Sequence, residues 1–94
     1  QEAFDQIGQI LAQGTIETCY IASGNPTIGK SIREVNLKAE TGAMIINIIR
    51  TNQTITNPPG DFVFEAEDQL ILFGSHSAID LGLKKLEGNP AGGS

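Results

Sequence analysis

Residues 43–50 read AMIINIIR, an apolar run interrupted by Asn47 and closed by Arg50. A strand that is apolar on both faces belongs inside a sheet, with neighbours on each side. Ninety-four residues make one domain with a modest core. Two apolar faces are more than the short helices of one copy can cover, so this strand predicts both a central position and a partner surface.

The other elements follow from local patterning. Residues 2–12 put Phe4, Ile7 and Leu11 on one helical face and predict a short amphipathic helix ending near Gly14. TIETCYIA (15–22) alternates as a strand, with Ile16, Tyr20 and Ala22 on one face and Cys19 and Ile21 on the other. The segment SIREVNLKAETG opens on Ser31 with Glu34 three residues later, a capping box, and predicts two short turns broken at Asn36 and closed by Gly42. TNQ turns the chain into TIT (54–56), and NPPGDFVFEAEDQ, with two prolines, reads as a loop or an edge. QLILFG (69–74) is the last strand, and HSAIDLGLKKLEG is an amphipathic helix through Ile79, Leu83 and Leu86. Short links between the later strands predict antiparallel pairing in an α+β domain over 15–87, with a linker helix at 1–14 and a tail at 88–94.

Gly24 to Ser31, GNPTIGKS, fits the phosphate-loop pattern G-x-x-x-x-G-K-[ST] in full. Its context opposes that reading. The following helix breaks within two turns, Pro26 removes an amide where phosphate would sit, and neither strongly apolar strand ends in an acidic residue for Mg²⁺. Gly29 and Lys30 are expected to lead into a capped helix instead.

A net charge of −5 offers no basic patch, so no DNA or RNA partner is expected. No apolar run is long enough to cross a bilayer, and one cysteine fits a reducing compartment, so the segment reads as cytoplasmic. One histidine and one cysteine supply no nucleophile, base and oxyanion set, which argues against an enzyme. His76 reads as a surface residue and Cys19 as a core thiol. Glu65, Glu67 and Asp68 form the one acidic cluster that could take Ca²⁺, and no metal is expected there.

The ordered set Gly29-Lys30-Ser31-Ile32, Glu34-Val35-Asn36-Leu37, Gly42, Ile45 to Arg50, Pro58-Pro59 and Glu67-Asp68-Gln69-Leu70 to Gly74 resembles the C-terminal domain of the RCK (regulator of potassium conductance) or TrkA family. The resemblance covers about residues 15 to 87. It implies a β-α-β-β-β-α fold that forms homodimers at the cytoplasmic face of the membrane, attached to potassium channels, potassium transporters or cation/proton antiporters. The family's separate Rossmann-type domain is not represented in this sequence.

The resemblance also implies a small regulatory ligand between two copies, cyclic di-AMP or another adenine nucleotide, and no other cofactor. The contacts it implies are Ile45, Ile46, Arg50, Asn52, Ile55, Asn57 and Pro58. Each has a plainer role: Arg50 as a partner of Glu65 or Glu67, Asn57 as a turn former, and one of Ile45 and Ile46 as core, since alternation sends them to opposite faces. The alternative to a ligand sensor is a module that dimerises and couples subunits without a ligand of its own.

Overall fold

A computed structural model describes residues 14–87. The expected helix over 1–14 and the tail over 88–94 lie outside the described residues, Gly14 excepted. β1 (Thr15–Tyr20) is followed by two short helices, α1 (Ile32–Val35) and α2 (Leu37–Thr41). β2 (Met44–Arg50), β3 (Gln53–Thr56), β4 (Gln69–Gly74) and α3 (His76–Glu87) complete the domain. The result is the expected α+β fold, with one antiparallel sheet in the order β1-β4-β2-β3.

β2 is an inner strand, as its two-sided apolar sequence requires. The sheet is not wound in chain order, however. Among the described strands β3 pairs only with β2, and the chain then runs through residues 57–68 to bring β4 to the other side of β2. Both prolines sit in that connection, where no ladder amide is needed.

A β-bulge interrupts the β2–β4 register: Ile45 pairs with Leu72, while Asn47 already pairs with Ile71. Strict alternation would send Ile45 and Ile48 to opposite faces. The extra residue, Ile46, puts Ile45 beside Leu72 and Ile48 beside Leu70, so both join the buried face. That face also carries Cys19, and it is covered by α3, the α1–α2 pair and the loop bearing Phe64. α3 approaches closely because Gly82 has no side chain; a Cβ there would stand 3.0 Å from that of Ala43.

The helix break is built as the sequence predicts. Ser31 Oγ accepts from the Glu34 amide and Glu34 Oε1 accepts from the Ser31 amide. Asn36 (φ 57) and Gly42 (φ 89) end the two turns in the left-handed region, which asparagine and glycine tolerate.

Cys19 lies in the core, where burial, with Glu87 adding to it, pushes its thiol up to about 11. At pH 8 a thiol-reactive reagent should therefore label the folded protein on the order of a hundredfold more slowly than the chain in denaturant. Equal rates would place Cys19 at the surface.

Among the described residues no helix covers the opposite face of the sheet. Ile16 and Met44 both stand opposite Phe73, and Ile16 (60% exposed), Tyr20 (53%) and Met44 (38%) are among the exposed large apolar residues. Among the described residues an apolar strip across three strands is therefore left uncovered.

Candidate functional site

The phosphate-loop pattern folds into something else. Its amides are already engaged: Thr27 N–H donates to Asn25 Oδ1, Ile28 N–H to Asn25 O, Gly29 N–H to Phe64 O, Lys30 N–H to Thr27 O and Ser31 N–H to Glu34 Oε1. Asn25 Nδ2 donates to Leu86 O and ties the loop to α3. A phosphate cradle needs free N–H groups pointing at one centre. Here they bind the protein itself, so GNPTIGKS is a strap that joins β1 to α1.

Arg50 closes β2 within a dense polar network. Nε donates to Asp68 Oδ1 and Nη2 to Asp68 Oδ2, each at 2.8 Å. Nη2 also donates to Val63 O at 2.8 Å, and Nη1 stands 3.2 Å from Glu65 Oε2. The guanidinium lies 4.5 Å over the Phe62 ring. Asp68 is fully buried, and its Oδ2 also accepts the Glu65 amide at 2.8 Å. Its carboxylate raises Arg50 further above its ordinary value. The Glu65 pairing expected from the sequence is present, but the dominant partner is Asp68.

That turn exists as well: Asp68 N–H donates to Glu65 O, and Glu67 takes a positive φ of 74°. Both Asp68 oxygens are occupied. Among the described residues no group of three or more His, Cys, Asp or Glu side chains could hold a metal ion.

The site residues implied by the resemblance separate into two groups. Arg50 and Asn52 lie at the hairpin end of β2, where Thr51 (φ 49) and Asn52 (φ 66) form a two-residue turn with both central residues left-handed. Ile45, Ile46, Asn57 and Pro58 lie at the opposite end. Asn57 (φ 51) donates its N–H to Ile46 O at 2.9 Å, which brings Pro58 back to the start of β2. Ile55 pairs with Ile48 between the two groups and packs against the core. Ile45 and Arg50 are five residues apart along a strand, or roughly 17 Å.

Two members of the second group, Ile45 and Pro58, border a cleft. It has a volume of about 180 Å³ and is lined by Ile32, Leu37, Lys38, Ala43, Met44, Ile45 and Pro58. Its walls come from the capped α1, from α2, from the first residues of β2 and from the proline that follows β3. Of the residues implied by the resemblance, Ile45 and Pro58 line this cleft, and the α1–α2 wall is not among them. The signal was present, because the Asn36 break folds Ile32 and Leu37 toward one another, but a helix read only for its core contacts does not disclose a cleft beside it.

Comparison with known proteins gives a consistent result. The family model described as the TrkA-C domain matches residues 19–86. The chain is 31% identical, over 72% of its length, to the protein named as the K(+) efflux antiporter KefB of Alkalimonas amylolytica, of which it spans 10%. It spans half or less of three other curated relatives. Among solved structures it resembles the RCK_C domain dimer of S. agalactiae BusR in complex with c-di-AMP, with 26% identity and a TM-score of 0.63 over 69% of this chain and 86% of that one. It shares its fold with the RCK C domain of the potassium transport protein KtrA in complex with the same dinucleotide, at 22% identity and a TM-score of 0.73 over 88% of this chain and 95% of that one.

Proposed function

Because the chain belongs to the TrkA-C domain family, we propose that it is the ligand-sensing regulatory domain of a potassium channel, potassium transporter or cation/proton antiporter. It acts at the cytoplasmic face of the membrane as a homodimer, and its ligand is a small adenine nucleotide such as cyclic di-AMP. The role is regulatory and not catalytic: a ligand that prefers one arrangement of the two copies biases the attached gate by its difference in affinity.

The observation that carries this reading is the apolar cleft between α1–α2 and Pro58. Aliphatic walls suit the face of a purine. A volume of about 180 Å³ is below the roughly 300–1,000 Å³ of a complete small-molecule pocket, so one copy offers only part of a site. Met44 lines the cleft and also stands opposite Phe73 on the open sheet face. A second copy covering that face would reach the mouth of the cleft, and a two-fold ligand would meet the same residues from each half. Of the residues implied by the resemblance, Ile45 and Pro58 line this cleft, and Ile46 follows Ile45 at its edge without lining it. Asn57 and Asn52 hold turns, Ile55 packs on the core, and Arg50 has a structural task.

Calorimetric titration of the dimeric protein with cyclic di-AMP tests the reading. Saturable binding at one dinucleotide per two copies is expected. A protein that sediments as a dimer yet gives no heat with cyclic di-AMP, AMP or ATP would be a coupling module without a nucleotide ligand.

A further inference from the structure

A nucleotide needs a cation for its phosphate as well as apolar cover for its base. We propose that Lys38 supplies this contact, in place of Arg50, and that the occupant of the cleft therefore carries its anionic group next to the base-sized apolar end. The inference rests on the nucleotide-binding reading given above.

Three observations support it. Lys38 is the one charged residue lining the cleft, and the other six residues of its wall are apolar. Among the described residues the ion pairs are Arg50–Glu65, Arg50–Asp68 and Lys85–Glu40, so no described carboxylate holds the Lys38 ammonium. Arg50 is poorly placed and poorly available. It lies about 17 Å along β2 from Ile45, and two carboxylates on one guanidinium leave its surroundings net negative. Withdrawing Arg50 to bind a phosphate would strand the buried Asp68 carboxylate.

The local structure positions Lys38 for the task. It follows Leu37, which is buried, and its carbonyl accepts the Gly42 amide at 2.8 Å, so the backbone beneath it is held at both ends of α2. Its aliphatic stem can extend the apolar wall while the ammonium stays in water. A lysine also serves a phosphate as a point charge, without the fixed planar geometry of arginine.

The test compares the wild-type protein with Lys38→Gln and Lys38→Arg, using cyclic di-AMP and uncharged adenosine as probes, with circular dichroism to show that each variant is folded. Lys38→Gln should weaken cyclic di-AMP at least tenfold and flatten the salt dependence of its binding. Lys38→Arg should retain most of the affinity, and any adenosine affinity should be the same for all three proteins. If cyclic di-AMP binds wild type and Lys38→Gln equally, the anion contact lies elsewhere and this inference fails while the nucleotide reading stands. If wild type binds no cyclic di-AMP at all, both fail together.

Discussion

Arg50→Ala is expected to destabilise the domain by about 3–5 kcal/mol, the cost of removing one partner from a buried ion pair. The argument turns on Asp68, which is fully buried and receives two guanidinium hydrogen bonds and one backbone amide. Without Arg50 one backbone hydrogen bond remains to a carboxylate removed from water. The variant also frees Val63 O and uncovers the Phe62 ring. Urea denaturation measures the loss directly. The double variant Arg50→Leu/Asp68→Leu should be more stable than Arg50→Ala, because no charge is left buried and unpaired. A loss below about 1 kcal/mol for Arg50→Ala, the scale of an exposed salt bridge, would show that Asp68 reaches water by another route. Reduced ligand affinity in Arg50→Ala would therefore not by itself identify a phosphate contact.

Phe64→Ala should cost a comparable amount, about 3–5 kcal/mol for a large-to-small change in a packed core. Phe64 is fully buried, meets Phe62 edge-to-face at 6.4 Å, and sits in a segment with no regular secondary structure of its own. Its backbone matters too, since Phe64 N–H donates to Lys30 O and Phe64 O accepts from Gly29 N–H. The side chain thus anchors residues 57–68 to the core while its backbone fastens the GNPTIGKS strap. In a domain of this size the loss corresponds to a fall in Tm of roughly 12 °C or more. Phe64→Leu should recover most of it, and an Ala variant melting within a few degrees of wild type would mean that Phe62 or Ile28 can fill the space.

Elements whose signals are local could be read from the chain. The Ser31–Glu34 box, the Asn36 break, the Gly42 cap and the burial of Cys19 and Ile21 each follow from neighbours within a few residues. Relationships across the sheet could not. Nothing near Ile46 signals a bulge, because the bulge exists to satisfy Leu70 and Leu72 on another strand. The pairing of Arg50 with Asp68 was hidden for a similar reason: three acidic residues stand close together, and only the Glu65–Asp68 turn decides which carboxylate points inward. The candidate site was legible where the family resemblance marked Ile45 and Pro58. Its helical wall and Lys38 emerged only once α1 and α2 were folded against β2.

The sheet order also determines where the entropic cost of folding falls. Among the described strands β1 pairs with β4 alone, so its first closure, Tyr20 on Gln69, spans most of the described chain. β2 and β3 close across Thr51 and Asn52, and every residue lining the cleft lies between Ile32 and Pro58. Loop-closure entropy weighs on the first strand and lightly on the cleft. The proposed ligand-binding half is assembled from near neighbours in sequence, whereas β1 is held by a remote contact and by the GNPTIGKS strap that follows it. Tension transmitted through the residues before Thr15 would therefore load β1 against β4 first, leaving the cleft as the last part of the sheet to feel it.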